Sequence, residues 1–280
     1  MSRPDRRRQV ELHTHSTASD GRHTPDELAE LCADHDVAVW SLTDHDTCEG
    51  CRAAARAAQR RGIAFIPGIE VSAYLERSIH VLGYGIDPES DAIAELTDQL
   101  REARRDRMVE MLDRLEEGGV SVALDRVREE AGSAPLSRAH LASVLVEGGH
   151  VDDVDAAFDC WIGADAPAYV PVGWPSVPET TEILHRAGGA AILAHPGRYD
   201  VDDHIPDWIE AGLDGLEAAH PSHDAEDQAR YREIAATHDV LATASSDYHG
   251  LEHLSKRVFG ETRLTSSTLE ALRAAIARHR

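Results

Sequence analysis

Lysine is almost missing from this 280-residue chain: Lys256 is the single example, and arginine supplies nearly all the positive charge. Cations are also outnumbered, 28 Lys and Arg against 51 Asp and Glu, for a formal net charge of −23. A chain this acidic lacks the basic stripe that duplex nucleic acid requires, so no stable duplex DNA binding is expected. No apolar run approaches the roughly 20 residues that span a bilayer, which excludes a helical membrane anchor. The basic start MSRPDRRR is not followed by the apolar stretch of a secretory signal. Cysteine is sparse, four in all. Cys48 and Cys51 form one C-x-x-C while Cys32 and Cys160 stand apart, which excludes a disulfide framework and a zinc ribbon built on two such pairs. All four are expected to serve as small apolar residues in a reducing compartment. The expectation is a cytoplasmic protein whose acidic surface suits high salt, where screening relaxes self-repulsion.

What is present is a globular chain. Apolar residues make up 42%, and the length suffices for one large domain or two small ones. Strand signals fall at Gln9–His13, Val37–Thr43, Ile63–Ala73 and Ser78–Gly85, with helices predicted from Thr24 and over Gly50–Arg61. Glu27, three residues after Thr24, completes a capping box, and Pro25 suits the first helical position. From about Ser90 to Cys160 only helical periodicity is found, stopped at Gly118-Gly119, Gly132 and Gly148-Gly149. Asp165–Pro178 reads as a return linker, after which strand signals resume at Ala190–Ala194, Gly215–Ala218 and Val240–Ser245. The pattern predicts an α/β fold with a mainly parallel sheet, open or closed into a barrel. Residues 1–90 and 161–280 would form it, interrupted by a helical subdomain over 91–160.

Histidines and carboxylates fall where chemistry needs them. His13 and His15 end the first strand at a spacing that puts both imidazoles on one face, and Asp20 follows in the loop. His45 follows the second strand, Glu70 ends the third, and His80 lies in the next. His195 ends the AAILA strand, and Asp247 and His249 follow the last one. In parallel α/β folds these strand ends converge. Six imidazoles and three carboxylates gathered together would be prohibitively polar unless metal ions satisfied them. Nine donors exceed one tetrahedral ion and suit two or three divalent ions sharing a bridging carboxylate. His23, His35, His150, His185, His204, His238, His253 and His279 lack this placement and read as surface residues.

These segments resemble a known family. His13-Thr-His15, Thr43-Asp44-His45-Asp46-Thr47, Pro67-Gly68-Ile69-Glu70, His80-Val-Leu-Gly, Ala194-His195-Pro196 and Ser246-Asp247-Tyr248-His249 are similar to the motifs of PHP (polymerase and histidinol phosphatase) metallophosphoesterases. The resemblance implies a distorted (β/α)7 barrel with a trinuclear site, most often manganese, with zinc or iron as alternatives. One ion would take His13, His15, Glu70 and Asp247, a second Glu70, His80 and His195, and a third Asp20, His45 and His249. Glu70, His195 and Asp247 would stand at the catalytic step, the ions lowering the pKa of a bridging water. Asp44 and Asp46 flank His45 and could orient it.

Leu136-Ser137-Arg138-Ala139-His140, Tyr169-Val170-Pro171, Ala187-Gly188-Gly189 and His220-Pro221-Ser222-His223 are similar to segments of stand-alone PHP enzymes. Those enzymes hydrolyse 3′,5′-nucleoside bisphosphates and trim RNA from its 5′ end. Ala139 stands where that group usually has proline. Arg138, Arg198 and His223 are the implied phosphate contacts, because planar guanidinium groups match phosphate geometry. The substrate would be a small phosphorylated nucleotide or a short RNA 5′ end. A phosphatase for another monoester such as histidinol phosphate, or a non-catalytic nucleic-acid-associated module, are the other readings.

Overall fold

The computed structural model describes residues 7–171, 173, 175–250 and 258–280; His253 and Lys256 lie outside them. Its strands are β1 (Arg7–Glu11), β2 (Val39–Leu42), β3 (Ala64–Tyr74), β4 (Ser78–Tyr84), β5 (Ala190–Leu193), β6 (Gly215–Ala219), β7 (Leu241–Ala244) and β8 (Arg263–Thr265). They form one sheet in the order β7-β6-β5-β4-β3-β2-β1-β8. An isolated bridge between Thr14 and Tyr248 joins the segment after β1 to the segment after β7, so the sheet nearly closes into a barrel.

The barrel is less parallel than the sequence pattern suggests. β1, β2 and β3 run parallel, as do β5, β6 and β7, but β4 is antiparallel to both β3 and β5. The physical reason is the short link Leu75–Arg77, which permits a hairpin and no crossover. His80 therefore sits early in a strand that runs away from the site, opposite Ser72. The eighth strand, antiparallel to β1, spans three residues and carries no periodicity of its own.

Helices follow their local signals. The helix α1 (Pro25–Asp34) has the Thr24–Glu27 capping box, and α2 (Cys51–Arg61) ends on Gly62 in the left-handed conformation. The segment between β4 and β5 holds α3 (Asp91–Glu117), α4 (Leu124–Ala131), α5 (Arg138–Glu147), α6 (Val154–Ala157), a π-helical turn (Phe158–Ile162) and α7 (Val177–Arg186). Met108, Met111, Leu115, Val127, Leu141 and Leu145 give α3, α4 and α5 an apolar cluster of their own. Unusually for a helix face, α3 also buries Arg104 and Arg107. Among the described residues, the α-helices after β5 are α8 (Ile205–Glu210), α9 (Ala225–Thr237) and α10 (Ser266–Arg278). Leu272, Ala275 and Ile276 of α10 pack with Val10, Tyr84 and Ile192, plugging one end of the barrel. Among the described residues no helix is long and apolar enough to cross a membrane. Cys32 and Cys51 are buried as expected, whereas Cys160 is exposed on the π-helical turn.

The α1 cap fixes where the loop after β1 ends. Thr24→Ala should cost about 1 kcal/mol and lower Tm by a few degrees without changing metal content, as thermal denaturation and elemental analysis would read.

Candidate metal centre and active site

The site is assembled around one carboxylate. Glu70 is fully buried in β3, and five imidazoles face it. Its Oε2 lies 3.2 Å from His13 Nε2, 3.2 Å from His15 Nε2 and 2.9 Å from His45 Nδ1. Its Oε1 lies 2.9 Å from His80 Nδ1 and 3.1 Å from His195 Nε2. Asp247 adds a second carboxylate, with Oδ1 3.4 Å from His13 Nε2 and 3.2 Å from His15 Nε2. Asp20 faces His249 Nε2 at 3.5 Å and His45 Nε2 at 3.8 Å. All nine candidate ligands are thus brought together.

Their ligating atoms group as His13, His15, Glu70 and Asp247; as His15, Asp20, His45 and His249; and as His45, Glu70 and His80. Three details differ from the family-based partition: His15 also belongs with Asp20 and His249, His45 stands between Asp20 and Glu70, and His195, though 3.1 Å from Glu70 Oε1, joins none of these groups.

Hydrogen bonding does not satisfy this centre. His13 Nε2, both nitrogens of His15, His45 Nδ1, His80 Nδ1, His195 Nδ1 and Glu70 Oε2 are buried without a hydrogen-bond partner among the described residues. Protons cannot serve all five rings around one carboxylate, and the rings divide. Burial opposes charge on His13 and His15, yet Glu70 and Asp247 raise both, His15 to about 9. Burial prevails at His80 and His195, which are lowered. Glu70 itself resists burial: His45, His13 and His80 hold its carboxyl well below the usual range. Buried nitrogen and oxygen donors aimed at common points, many of them without a hydrogen-bond partner among the described residues, fit divalent metal ions.

Around this centre sits a shell that holds the rings in place. Glu217 of β6 takes His13 Nδ1 at 3.1 Å, the His195 backbone N–H at 2.8 Å and the Ser245 hydroxyl. With Nδ1 donating to Glu217, His13 presents the Nε2 lone pair to the centre. Burial acts to raise the Glu217 carboxyl, but His13 lowers it to about 2. Sequence reasoning passed over Glu217, although a carboxylate in the otherwise apolar GLEAA strand was the available signal. His220 receives the Ser222 N–H on Nδ1 at 3.0 Å, so its Nε2 donates to Asp247 Oδ2 at 3.1 Å.

Asp44 and Asp46 do not orient His45. Asp44 accepts from Ser16 N–H at 2.7 Å, the Ser16 hydroxyl at 2.8 Å and the Ser19 hydroxyl at 2.7 Å, fastening the loop that carries His15 and Asp20. Asp46 accepts the Ser72 N–H at 2.6 Å and pairs with Arg104. Asp46, His195 and Asp247 all hold positive φ, at 53°, 30° and 50°. Such backbone is costly for residues other than glycine, and its concentration here fits a centre that over-determines its own geometry.

A cavity of about 370 Å³ opens over the centre. Glu70, His80, His195, Asp247 and His249 line one side, and Arg104, Arg107, Arg138 and Arg198 another. Arg138 donates to Ile162 O at 3.2 Å, and its guanidinium lies 5.4 Å from the Phe158 ring centre and 5.3 Å from that of Tyr169. Arg107 donates through Nε to Val170 O, leaving Nη2 buried and without a partner among the described residues. Burial beside Arg138 and Arg104 pulls the Arg107 guanidinium down to about 9, as expected of clustered cations awaiting an anion. Arg198 is exposed and makes no ion pair among the described residues. His223 departs from expectation. Its Nε2 accepts the Gly197 N–H at 3.0 Å, its Nδ1 donates to Ala218 O at 3.1 Å, and it lies outside the cavity lining. Both nitrogens brace loops, and neither is free for phosphate. Arg104 and Arg107 escaped sequence reading because arginines on a long charged helix look solvated.

Comparison with known proteins agrees with this geometry. The PHP domain model matches residues 11–156. A 3′,5′-nucleoside bisphosphate phosphatase from Chromobacterium violaceum is 37% identical over 86% of this chain and 87% of its own. A phosphoribosyl 1,2-cyclic phosphate 1,2-diphosphodiesterase from Eggerthella lenta is 34% identical over 86% and 94%, and a 5′-3′ exoribonuclease from Haemophilus influenzae 35% identical over 86% and 90%. A solved structure from Bifidobacterium adolescentis, assigned as a metal-dependent phosphoesterase, superposes with a TM-score of 0.85 at 30% identity over 96% of both chains.

Glu70→Gln removes the charge shared by the grouped ligands. Metal content measured by elemental analysis should fall by at least one ion per chain and turnover by more than a hundredfold, while circular dichroism stays native.

Proposed function

This chain belongs to the PHP domain family and is a metal-dependent phosphoesterase, and on that premise we propose that it hydrolyses 3′,5′-nucleoside bisphosphates and trims short RNA from the 5′ end. The observation that carries this reading is one cavity lined both by candidate metal ligands and by four arginines. A ligand with two phosphates has a partner at both sides, whereas a simple monoester leaves the arginines unmatched. The cavity is within the usual range for a small-molecule site. Its cluster of four arginines stands out on a chain of net charge −23, which favours a small anion over a long nucleic-acid track.

In this reading His13, His15, Asp20, His45, Glu70, His80, His195, Asp247 and His249 hold three divalent ions, manganese first and zinc or iron as alternatives. When bound, these ions supply the charge that makes water acidic near neutral pH and offsets charge growing on the phosphoryl oxygens. The chain does the rest. Glu70, His195 and Asp247 border the reacting phosphate, and Glu217 and His220 keep His13 and Asp247 in one orientation. Arg138 and Arg198 hold the phosphate that is not cleaved, and Arg107 offers its unpartnered Nη2 to the same group. Remote binding of this kind positions the scissile phosphate and contributes to rate as well as affinity. The segment over residues 91–160 is a subdomain that roofs the site, with Arg104 tying it to the barrel through Asp46 and Ser72. The protein is proposed to work in the cytoplasm and at high salt, so turnover should persist in molar salt.

Phosphate release from adenosine 3′,5′-bisphosphate, measured beside histidinol phosphate and a phosphoribosyl cyclic phosphate, tests the assignment. Preference for either of the latter two contradicts it, and RNA binding without turnover under any metal would favour a non-catalytic module. Arg138→Ala should reduce kcat/KM for the bisphosphate by about ten- to more than a hundredfold relative to a nucleoside monophosphate. That is the range for a lost charge-assisted contact of about 1.5–3 kcal/mol. Equal loss on both substrates with a lowered Tm would instead make Arg138 a structural residue.

A further inference from the structure

A second group of ligating side chains lies away from the cavity, and none of its members was distinguished in the sequence. His185 belongs to the last turn of α7, Asp214 immediately precedes β6, and His279 follows the last residue of α10. Asp214 stands at the entry of β6, the end opposite the loop that bears His220. Its carboxylate meets one imidazole on each oxygen: His185 Nε2 is 2.8 Å from Oδ2, and His279 Nε2 is 3.3 Å from Oδ1. The two rings stack with centres 3.6 Å apart and planes at 11°. The three ligating atoms all lie within 4.8 Å of one another.

We infer that His185, Asp214 and His279 form a cation site separate from the Glu70 centre, taking one zinc-like divalent ion and tying α10 to α7 and β6. Hydrogen bonds can hold this arrangement on one condition. Both rings would have to carry a proton on Nε2, setting two like N–H dipoles side by side toward one carboxylate. A single divalent ion accepts both lone pairs and the carboxylate oxygen together. Ligands 2.0–2.1 Å from zinc at the tetrahedral angle stand about 3.3 Å from one another, close to the 2.8 and 3.3 Å separations here. Comparable contact lengths, 2.9–3.2 Å, surround Glu70 in the candidate centre.

The remaining surroundings suit an ion. The Ala191 N–H donates to Asp214 Oδ2 at 3.0 Å and fixes the carboxylate's direction. Two imidazoles and one carboxylate select zinc, cobalt or nickel over calcium or magnesium, which take mainly oxygen ligands. The side chains of His185 and His279 are 22% and 19% exposed, so an ion can enter from solvent and keep water as a further ligand. Arg278 reaches Asp214 Oδ1 at 2.9 Å from a side chain that is 61% exposed. It competes with the ion, and its removal should tighten binding.

The test uses the full chain and zinc alone. After equilibration with zinc and removal of unbound metal, the His185→Gln/His279→Gln double variant should retain one ion fewer per chain than the unmodified protein. Phosphoesterase activity should stay within about twofold, because neither residue touches the cavity. Arg278→Ala, which keeps every ligand, should bind the extra zinc several-fold more tightly. Carbethoxylation of the unmodified protein, read by peptide mass spectrometry, keeps the inference testable if the double variant does not fold. Zinc should protect His185 and His279 by tenfold or more. Equal zinc content in the two proteins, or zinc-independent labelling of both rings, overturns it.

Discussion

A carboxylate with no exposure to solvent, surrounded by five imidazoles, is the constraint on which this structure turns. Glu70 cannot be left charged and unpaired in the barrel, since the desolvation cost of an isolated buried carboxylate far exceeds the stability of a domain. Nor can its neighbours pair with it completely through protons, because their unpartnered nitrogens outnumber its oxygens. Cations resolve both difficulties. The surrounding architecture then reads as support: Asp44 fastening the His15–Asp20 loop, Glu217 setting the His13 tautomer, and positive-φ backbone at Asp46, His195 and Asp247.

The helices between β4 and β5 answer a different need. Under the proposed function the metal centre would attract any phosphate ester, and discrimination would come from what else the cavity presents. Arg104, Arg107 and Arg138 are brought there by α3 and α5, and each guanidinium is fixed before substrate arrives. Arg104 is held by Asp46, Ser72 and Leu136 O, Arg107 by Val170 O, and Arg138 by Ile162 O and two aromatic faces. Guanidinium groups fixed in advance lose little side-chain entropy on binding an anion. The Arg104–Asp46 pair also links α3 to the residue beside His45.

Much of the centre was legible in the sequence because strand ends in an α/β barrel converge, and a histidine or carboxylate after each strand is hard to attribute to packing. The residues that were not legible share a physical cause. Glu217 lies inside a strand, and its partner His13 is more than two hundred positions away. Arg104 and Arg107 occupy a helix whose charge pattern matches a solvated face. His223 carried the expected residue type in the expected segment, yet its nitrogens are taken by backbone groups that sequence does not reveal. The β3–β4 hairpin was hidden because strand runs show which faces are buried and not which way a neighbour points. His185 and His279 looked like surface residues because their meeting point, Asp214, is a single acid in an acidic chain.

Anomalous X-ray scattering from crystals grown with manganese tests the central claim most directly. The account predicts density peaks inside the ring of His13, His15, His45, His80 and His195, at least two of them sharing Glu70 as a ligand. Crystals diffracting to the same quality with no anomalous density beside Glu70, and with these rings joined to it only by hydrogen bonds, would contradict it.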